Sequence, residues 1–385
     1  MTKNNQKIIF RLIPIMLTFF AMGFVDLVGI ASNYVKADFG LSDSLTNLLP
    51  SMVFFWFLIL SVPTGMLMDK IGRRKTVLLS LAVTLAAMLV PLIDYNLPLM
   101  VFSFALLGIG NTLMQVSLNP LLSNIIHGNK LSSALTFGQF VKNIAAFSAP
   151  ILTAWAIARA GDWKLIYPIF MAEGVVALLA MAKDTVKERI SGHASTFKQC
   201  FSLLKDPLIL FCFIGIMCHV GIDVGTNVTA PKILTEKTGM SLAAAGYATS
   251  IYFFFKTAGS FMGAFILARF SHKRFFAVSA FIMSAAVIGL FVFSEKLPLY
   301  ICIALIGFGN SNIFSIIFAQ AILHKPSRKN DISGLMIMGL FGGTVFPFLM
   351  GITADVSGSQ MGGVAVMSLG ILFLLYMIRQ IKQAH

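Results

Sequence analysis

Long apolar runs constrain the fold of this chain more than any other feature of its sequence. A membrane-spanning helix needs about 20 predominantly apolar residues. Charged residues make up only 11% of the chain, whereas a soluble domain has about 25%. The apolar runs are too long for the alternating strands of an outer-membrane barrel. They lie at 11–35, 46–69, 76–94, 98–126, 131–158, 163–183, 208–234, 241–269, 275–294, 297–323, 331–356 and 361–381. The sequence therefore predicts an all-α integral membrane protein with twelve transmembrane helices.

The basic residues predict which side of the membrane each loop faces. Of the 29 lysines and arginines, 21 lie at the termini or in loops on one side and 6 lie on the other. Cytoplasmic loops carry an excess of Lys and Arg, and an even number of helices puts both termini on one side. We expect a multi-pass protein of the cell inner membrane with both termini cytoplasmic. Topology explains the net charge of +14, so no nucleic-acid partner is expected.

The two halves of the chain resemble each other. The segment "LPLMVFSFALLGIGN" at 97–111 recurs, with a one-residue gap, as "LPLYICIALIGFGN" at 297–310. "GRR" at 72–74 corresponds to "HKR" at 272–274. We therefore expect two pseudo-symmetric six-helix bundles. The predicted division is an N-terminal bundle at 1–183, a cytoplasmic linker at 184–207 and a C-terminal bundle at 208–385.

A loop motif supports a family resemblance. "GMLMDKIGRRKTVLL" at 65–79 lies between predicted helices 2 and 3 and matches the loop signature of the major facilitator superfamily of transporters. Together with the internal duplication, this motif makes the chain resemble a transporter of that superfamily. The resemblance implies two bundles that alternate access to a site near the middle of the membrane. It implies a gating role for the motif residues Gly65, Asp69, Gly72, Arg73 and Arg74.

Two further segments narrow the resemblance to a subgroup. "GIGNTLMQVSLNP" at 108–120 and "LTFGQF" at 135–140 are similar to helices 4 and 5 of the fucose permease and glucose/galactose permease group. This resemblance implies sugar uptake with protons. Two departures leave the coupling site open. Gln115 stands where that group has a helix 4 glutamate, and Gly29 stands where it has a helix 1 aspartate, with Asp26 one turn earlier.

Polar side chains recur on single faces of the helices that are expected to line the cavity. Asn and Gln both donate and accept hydrogen bonds, as sugar hydroxyls do, and aromatic rings can stack on a sugar ring. Small polar residues also hold membrane helices together, so each residue has a structural alternative. The predicted substrate-binding residues are Asn33, Trp56, Asn111, Gln115, Asn119, Gln139, Lys142, Asn143, Asn227, Tyr252, Lys256, Asn310 and Asn312.

Two lysines, Lys142 and Lys256, lie inside predicted helices. A charge at a helix centre costs several kcal/mol unless it is paired or hydrated, so each lysine needs a carboxylate, a substrate or water. Three interpretations remain open: a structural ion pair, a switch in which protonation of an aspartate frees a lysine, and direct binding of a substrate carboxylate. The candidate coupling residues are Asp26, which is the first choice, Asp223, His219 and Glu173.

The expected function is secondary active uptake of a monosaccharide or sugar derivative by alternating access, coupled to protons, with sodium also possible. Alternatives are symport of an anionic sugar acid bound by Lys142 and Lys256, multidrug efflux, and a sugar sensor that does not transport. An enzyme is not expected, because the sequence has no nucleophile–base set and no nucleotide-binding loop. No cofactor or metal site is expected. The predicted partners are a sugar-like small molecule, protons and the lipid bilayer, and we expect a monomer.

Overall fold

The computed structural model of this protein describes residues 3–41, 43–128, 130–183, 195–240 and 245–381. All regular structure within these ranges is helical. The α-helices are α1 Lys3–Met22, α2 Leu27–Phe39, α3 Asp43–Ile71, α4 Arg73–Ile93, α5 Leu97–Leu122, α6 Lys130–Ala160, α7 Ile166–Lys183, α8 Phe197–Ser202, α9 Pro207–Thr238, α10 Tyr247–Ile266, α11 His272–Val292, α12 Lys296–Asn310, α13 Ile313–His324, α14 Lys329–Met338, α15 Gly342–Ser357 and α16 Met361–Met377.

Within the described residues, the twelve predicted apolar runs coincide with these helices, but three runs are interrupted. Residues 241–244 of the eighth run lie outside the described ranges. A 3₁₀ turn at Gly23–Asp26 divides the first run, and another at Gly339–Phe341 divides the eleventh. The tenth run breaks between α12 and α13, at Ser311 and Asn312. Within the described residues, nine helices are long and apolar enough to cross a membrane, and Met361–Met377 is a shorter apolar helix. The predicted all-helical class is confirmed.

Local sequence fixes the start of the helices that carry the polar residues. Asp206 precedes α9, and its carboxylate accepts hydrogen bonds from the Leu208 N–H at 3.0 Å and the Ile209 N–H at 3.4 Å. Pro207 occupies the first helical position, where its missing N–H costs nothing. Asn96 caps α5 in the same way, accepting from the Leu99 N–H at 2.9 Å. Such caps satisfy N–H groups that have no partner within the helix.

The first of two compact units comprises Met1–His127, Gly138–Ser202 and Ser327–Met338. Its last piece contains α14, which belongs by sequence to the second half of the chain. The Ser333 hydroxyl donates to the Val116 carbonyl of α5 at 2.6 Å. A Cβ on Gly334 would lie 2.8 Å from the Ser61 carbonyl oxygen of α3. This unit therefore includes a helix from the other end of the sequence, packed tightly against α3 and α5.

The second unit comprises Gly128–Phe137, Leu203–Pro326 and Gly339–His385. Within it α9 packs against α10, α12, α13, α15 and α16. The predicted division into 1–183, 184–207 and 208–385 stays a prediction, and residues 184–194 of the predicted linker lie outside the described ranges.

Large apolar side chains are exposed on α11 and α16. Phe281 and Ile288 of α11 are each 62% exposed, and Leu369 of α16 is 65% exposed. Water would disfavour so many exposed apolar groups, whereas lipid accommodates them. These faces are therefore the surfaces that a bilayer would cover.

Candidate functional site

Lys256 and Asp223 form an ion pair inside the second unit. The Lys256 ammonium donates to both carboxylate oxygens of Asp223, at 2.8 Å and 2.7 Å. Asp223 lies midway along α9 and Lys256 midway along α10. The two side chains keep small exposed fractions, 15% for Lys256 and 18% for Asp223. Lys256 on α10 is thus stabilised by a carboxylate, as its position required.

Three more side chains extend this pair into a network. The Tyr252 hydroxyl donates to Asp223 Oδ1 at 2.6 Å. The Asn310 amide donates to the Tyr252 hydroxyl at 3.3 Å and to the His219 carbonyl at 3.2 Å. His219 Nδ1 lies 2.7 Å from Asn310 Oδ1, and since an amide oxygen only accepts, the imidazole donates. Tyr252 and Asn310 are fully buried, so the network is rigidly placed around Asp223.

The helical repeat explains why these residues meet. His219, Asp223 and Asn227 follow one another at steps of four along α9 and share one face. Tyr252 and Lys256 are also four residues apart on α10. The Asn227 amide donates to the Asp223 carbonyl at 2.9 Å, and its Oδ1 has no hydrogen-bond partner within the described part of the chain. The structure therefore brings together six of the predicted residues in the second unit.

Helix α5 carries a second polar row, in the first unit. The Gln115 amide lies 3.5 Å from Asn111 Oδ1, and the Asn119 amide donates to the Gln115 carbonyl at 2.8 Å. All three side chains are buried, and Asn119 is 0% exposed. Asn111 Nδ2 and Asn119 Oδ1 have no partner among the described residues. This row therefore offers hydrogen-bonding groups that the described protein does not satisfy.

Two buried donors on other helices of the first unit are also unsatisfied. Neither Trp56 Nε1 on α3 nor Gln139 Nε2 on α6 has an acceptor in the ranges that the structure describes. More than 90% of buried polar groups in proteins are hydrogen-bonded. Unsatisfied donors of this kind are available to a ligand or to water.

Lys142 and Asn143 lie half-buried on α6, close in sequence to Gln139. No described carboxylate forms an ion pair with Lys142. The two intramembrane lysines therefore differ: Lys256 has an internal counter-charge, and Lys142 has none among the described residues.

The remaining predicted residues lie apart from the network. Asp26 is exposed at the end of the 3₁₀ turn Gly23–Asp26, and no ion pair joins it to a described residue. Both carboxylate oxygens of Glu173 on α7 are buried without a described partner.

The predicted binding residue Asn312 is 1% exposed. Its amide donates to the Gly259 carbonyl at 3.0 Å, and this hydrogen bond joins the break after α12 to α10. The side chain of Asn33 lies outside the described part of the structure.

The predicted gating motif meets α14 within the first unit. The Asn330 amide donates to Asp69 Oδ1 at 2.7 Å, and its oxygen accepts from Arg73 Nε, also at 2.7 Å. Arg73 also donates to Asn124. Gly72 has a φ of 89°, a conformation that favours glycine, and it ends α3 so that Arg73 begins α4. Arg74 donates to the Met181 carbonyl at 3.1 Å and the Ala182 carbonyl at 2.6 Å.

Sequence reasoning missed Asn330 and its neighbour Asp331. Asp331 is 3% exposed and accepts from the Ser195 hydroxyl at 3.0 Å and the Cys200 thiol at 3.2 Å. Arg328 forms an ion pair with it at 2.5 Å. Burial and the hydrogen bond to Asp331 raise the pKa of Cys200 to about 12, so the thiol stays protonated and donates. No pattern in the sequence pointed to this cluster, because it joins segments that lie far apart in the chain.

A family model described as Major Facilitator Superfamily matches residues 15–228 and 212–384. This chain belongs to the Major Facilitator Superfamily. The family is one of membrane transporters rather than enzymes, so the predicted transporter class and the predicted fold class are both confirmed. The chain is a multi-pass membrane protein.

Individual relatives agree with the subgroup resemblance. A protein named Glucose/galactose transporter from Brucella abortus biovar 1 is 25% identical over 378 residues, covering 93% of this chain and 90% of the relative. A TsgA homolog from Yersinia pestis is 23% identical over 292 residues, covering 74% of this chain and 72% of the relative.

Solved structures show the same fold. The E. coli fucose:proton symporter FucP aligns with a TM-score of 0.82 at 17% identity, covering 97% of this chain and 99% of the symporter. The proton:xylose symporter XylE, solved with 6-bromo-6-deoxy-D-glucose, aligns with a TM-score of 0.76 at 13% identity, covering 99% and 97%. The resemblance to the fucose and glucose/galactose permease group is confirmed.

Proposed function

We propose that this transporter takes up a monosaccharide or sugar derivative by alternating access, in symport with protons. The observation that carries the proposal is the set of unsatisfied buried groups in the first unit: Trp56 Nε1, Asn111 Nδ2, Asn119 Oδ1 and Gln139 Nε2. A ligand with several hydroxyls can donate to some of these groups and accept from others. The names of the Brucella and E. coli proteins support the same substrate class.

The Lys256–Asp223 pair favours a neutral sugar over a sugar acid held by both lysines. Lys256 already has a carboxylate 2.7 Å away, so a second carboxylate would have to displace it. A buried charge that loses its partner is strongly destabilised. A sugar acid remains the second candidate because Lys142 has no carboxylate partner among the described residues. In that case the acid would bind Lys142 alone.

Transport assays on the purified protein in proteoliposomes test the proposal. Counterflow of labelled glucose, galactose, fucose and xylose, with glucuronate as the anionic member, would identify the substrate class. An inward proton gradient should then raise the internal concentration of the substrate above the external one, and a protonophore should abolish this. Counterflow of glucuronate alone would favour the second candidate. A sensor would bind a sugar without counterflow, and an efflux pump would move an apolar cation instead.

The gating proposal concerns the contacts of Asp69 and Arg73 with Asn330. Alternating access requires the two halves of the sequence to change their contacts during each cycle. The hydrogen bonds at Asn330 join a loop of the first half to a helix of the second half, so they would break and reform.

We place this loop, both termini and the linker in the cytoplasm of a cell whose inner membrane holds the protein. Labelling of single cysteines from either side of the membrane tests that orientation.

A further inference from the structure

Asp223, in the network of the second unit, is the acidic residue best placed to exchange the Lys256 ammonium for a proton. Of the three acids considered for coupling, Asp223 has an ammonium within hydrogen-bond distance. Asp26 is exposed and has no described ion pair, and the Glu173 oxygens have no described partner. Gln115 cannot bind a proton at neutral pH. The geometry therefore singles out Asp223.

We infer that Asp223 is the proton-binding carboxylate of symport and that Lys256 is the cation which a proton displaces from it. The inference rests on the proposed function and deepens it by naming the coupling residues. In the deprotonated state, Asp223 and Lys256 neutralise each other. When a proton from water binds an Asp223 oxygen, the carboxylate becomes a neutral acid, and Lys256 carries an unpaired positive charge.

That unpaired charge provides the link between proton and substrate. An ammonium inside a membrane protein needs a new partner, and it has three N–H donors to offer. Oxygens of a sugar bound on this face of the second unit, where Asn227 Oδ1 also has no described partner, can accept from it. The protonated protein would then bind sugar more tightly, and by reciprocity the sugar-bound protein would bind the proton more tightly. Proton and sugar would cross the membrane together.

The surroundings of Asp223 fit this exchange. The titratable groups that act on it are Lys256, His219 and Tyr252. The Tyr252 hydroxyl holds Oδ1 at 2.6 Å, so the carboxyl group keeps its place when Lys256 leaves. Phe346 packs against Gly221 and Met350 against Gly225, and these apolar contacts add no further charge. The exposed fractions of Asp223 and Lys256, 18% and 15%, show that both groups remain in contact with solvent.

The competing explanation is that the ion pair only stabilises the fold. The double variant Asp223→Asn/Lys256→Gln distinguishes a coupling role from a purely structural one. It removes both charges, leaves no unpaired lysine and keeps polar side chains of similar size. The second unit offers a matched control in Asp206 and Lys325, an Asp–Lys pair of the same 2.7 Å length just before α9 and just after α13. The control variant is Asp206→Asn/Lys325→Gln.

The experiment measures counterflow and proton-driven accumulation of the same labelled sugar in proteoliposomes. Because Lys256 is also proposed to donate to the sugar, we expect the Asp223/Lys256 double variant to bind the sugar more weakly than the wild type and to catalyse a slower counterflow, whose rate no longer varies with pH. Under an inward proton gradient, the sugar concentration inside proteoliposomes that contain this variant should rise to the external concentration and no further. The wild type and the Asp206/Lys325 control should accumulate sugar above that level.

One result would overturn the assignment and leave the proposed function standing: proton-driven accumulation by the Asp223/Lys256 double variant, which would make the pair structural. Accumulation by the wild type that needs sodium and does not respond to a proton gradient would overturn both the assignment and the proton symport of the proposed function. Absence of counterflow by the wild type with every sugar would overturn the proposed function, and this inference with it. The single variant Asp223→Asn would leave Lys256 without its counter-charge, so the double variant, which removes both charges, carries the test.

Discussion

The amide of Asn330 lies 2.7 Å from the Asp69 carboxylate, although 261 residues separate the two in the chain. The same amide group accepts from Arg73, so one side chain bonds to two charged residues of the loop motif. The carboxylate and the guanidinium are thereby held in fixed positions at the junction of α3 and α4. The loop motif is therefore hydrogen-bonded to α14.

Asn330→Ala is expected to slow transport more than it weakens binding. The variant removes one hydrogen bond to a carboxylate and one to a guanidinium, each worth about 1.5–3 kcal/mol. Loss of either hydrogen bond shifts the equilibrium between the conformations of the transport cycle by about tenfold or more. Asp69→Asn keeps an acceptor for the Asn330 amide and should have a smaller effect. Initial uptake rates and sugar affinities of both variants check this. Equal losses of rate and affinity would contradict a gating role.

Gly65→Ala is expected to weaken the packing of α14 on α3. A Cβ on Gly65 would lie 2.8 Å from the Asn330 carbonyl oxygen, closer than van der Waals contact allows, so the two helices must separate. Gly351→Ala is the matched control because it also lies within a helix and its Cβ would meet nothing within 4 Å. Replacing Gly by Ala inside a helix otherwise stabilises by about 0.5–1 kcal/mol.

The check on Gly65 is the unfolding temperature of the purified protein, with the uptake rate as a second measurement. Gly351→Ala should leave both unchanged or raise the temperature slightly. Gly65→Ala should lower the temperature. Similar shifts in the two variants would show that close packing at Gly65 contributes little.

Gln139→Ala is expected to weaken sugar binding. Its Nε2 is a buried donor without an acceptor among the described residues, so a sugar oxygen would be its partner. Loss of one neutral hydrogen bond costs about 0.5–1.5 kcal/mol, which is about a 2- to 10-fold rise in Kd. Gln199→Ala, at an exposed position of α8 in the same unit, is the control and should bind normally. Unchanged affinity in Gln139→Ala would remove α6 from the proposed site.

Asp206→Asn is expected to reduce the loss of stability in acid. Burial alone would raise the pKa of Asp206, but hydrogen bonds from Lys325 and His324 outweigh it and hold that pKa well below its usual range. The unfolded value is about 3.9. The charged carboxylate therefore contributes its full stabilisation above about pH 4 and loses it as pH falls through the lowered folded value.

Asparagine is a good helix cap, so Asp206→Asn keeps the cap of α9 and removes only the charge, whereas Asp206→Ala removes both. The unfolding temperature of each protein, measured between neutral and acidic pH, gives the comparison. The wild type should lose more stability than Asp206→Asn across the acidic range. Parallel curves for the two would mean that the pair with Lys325 is too exposed to matter.

The sequence by itself determined the helices, their polar faces and the family. Runs of about 20 apolar residues permit little else in a membrane, and the spacing of His219, Asp223 and Asn227 places them on one face through the helical repeat alone. The need of Lys256 for a partner was also predictable, because an isolated charge at a helix centre is unstable wherever the helix packs.

Only the tertiary structure decided which partner each group has. The sequence left the partner of Lys256 open, and the structure selects Asp223 at 2.7 Å. The bond between Asp69 and Asn330 and the helix breaks at Gly23–Asp26 and Gly339–Phe341 were likewise decided there. Periodicity fixes the directions of side chains on one helix, whereas an ion pair or hydrogen bond depends on the distance between two helices. That distance is set by how side chains far apart in the sequence pack together.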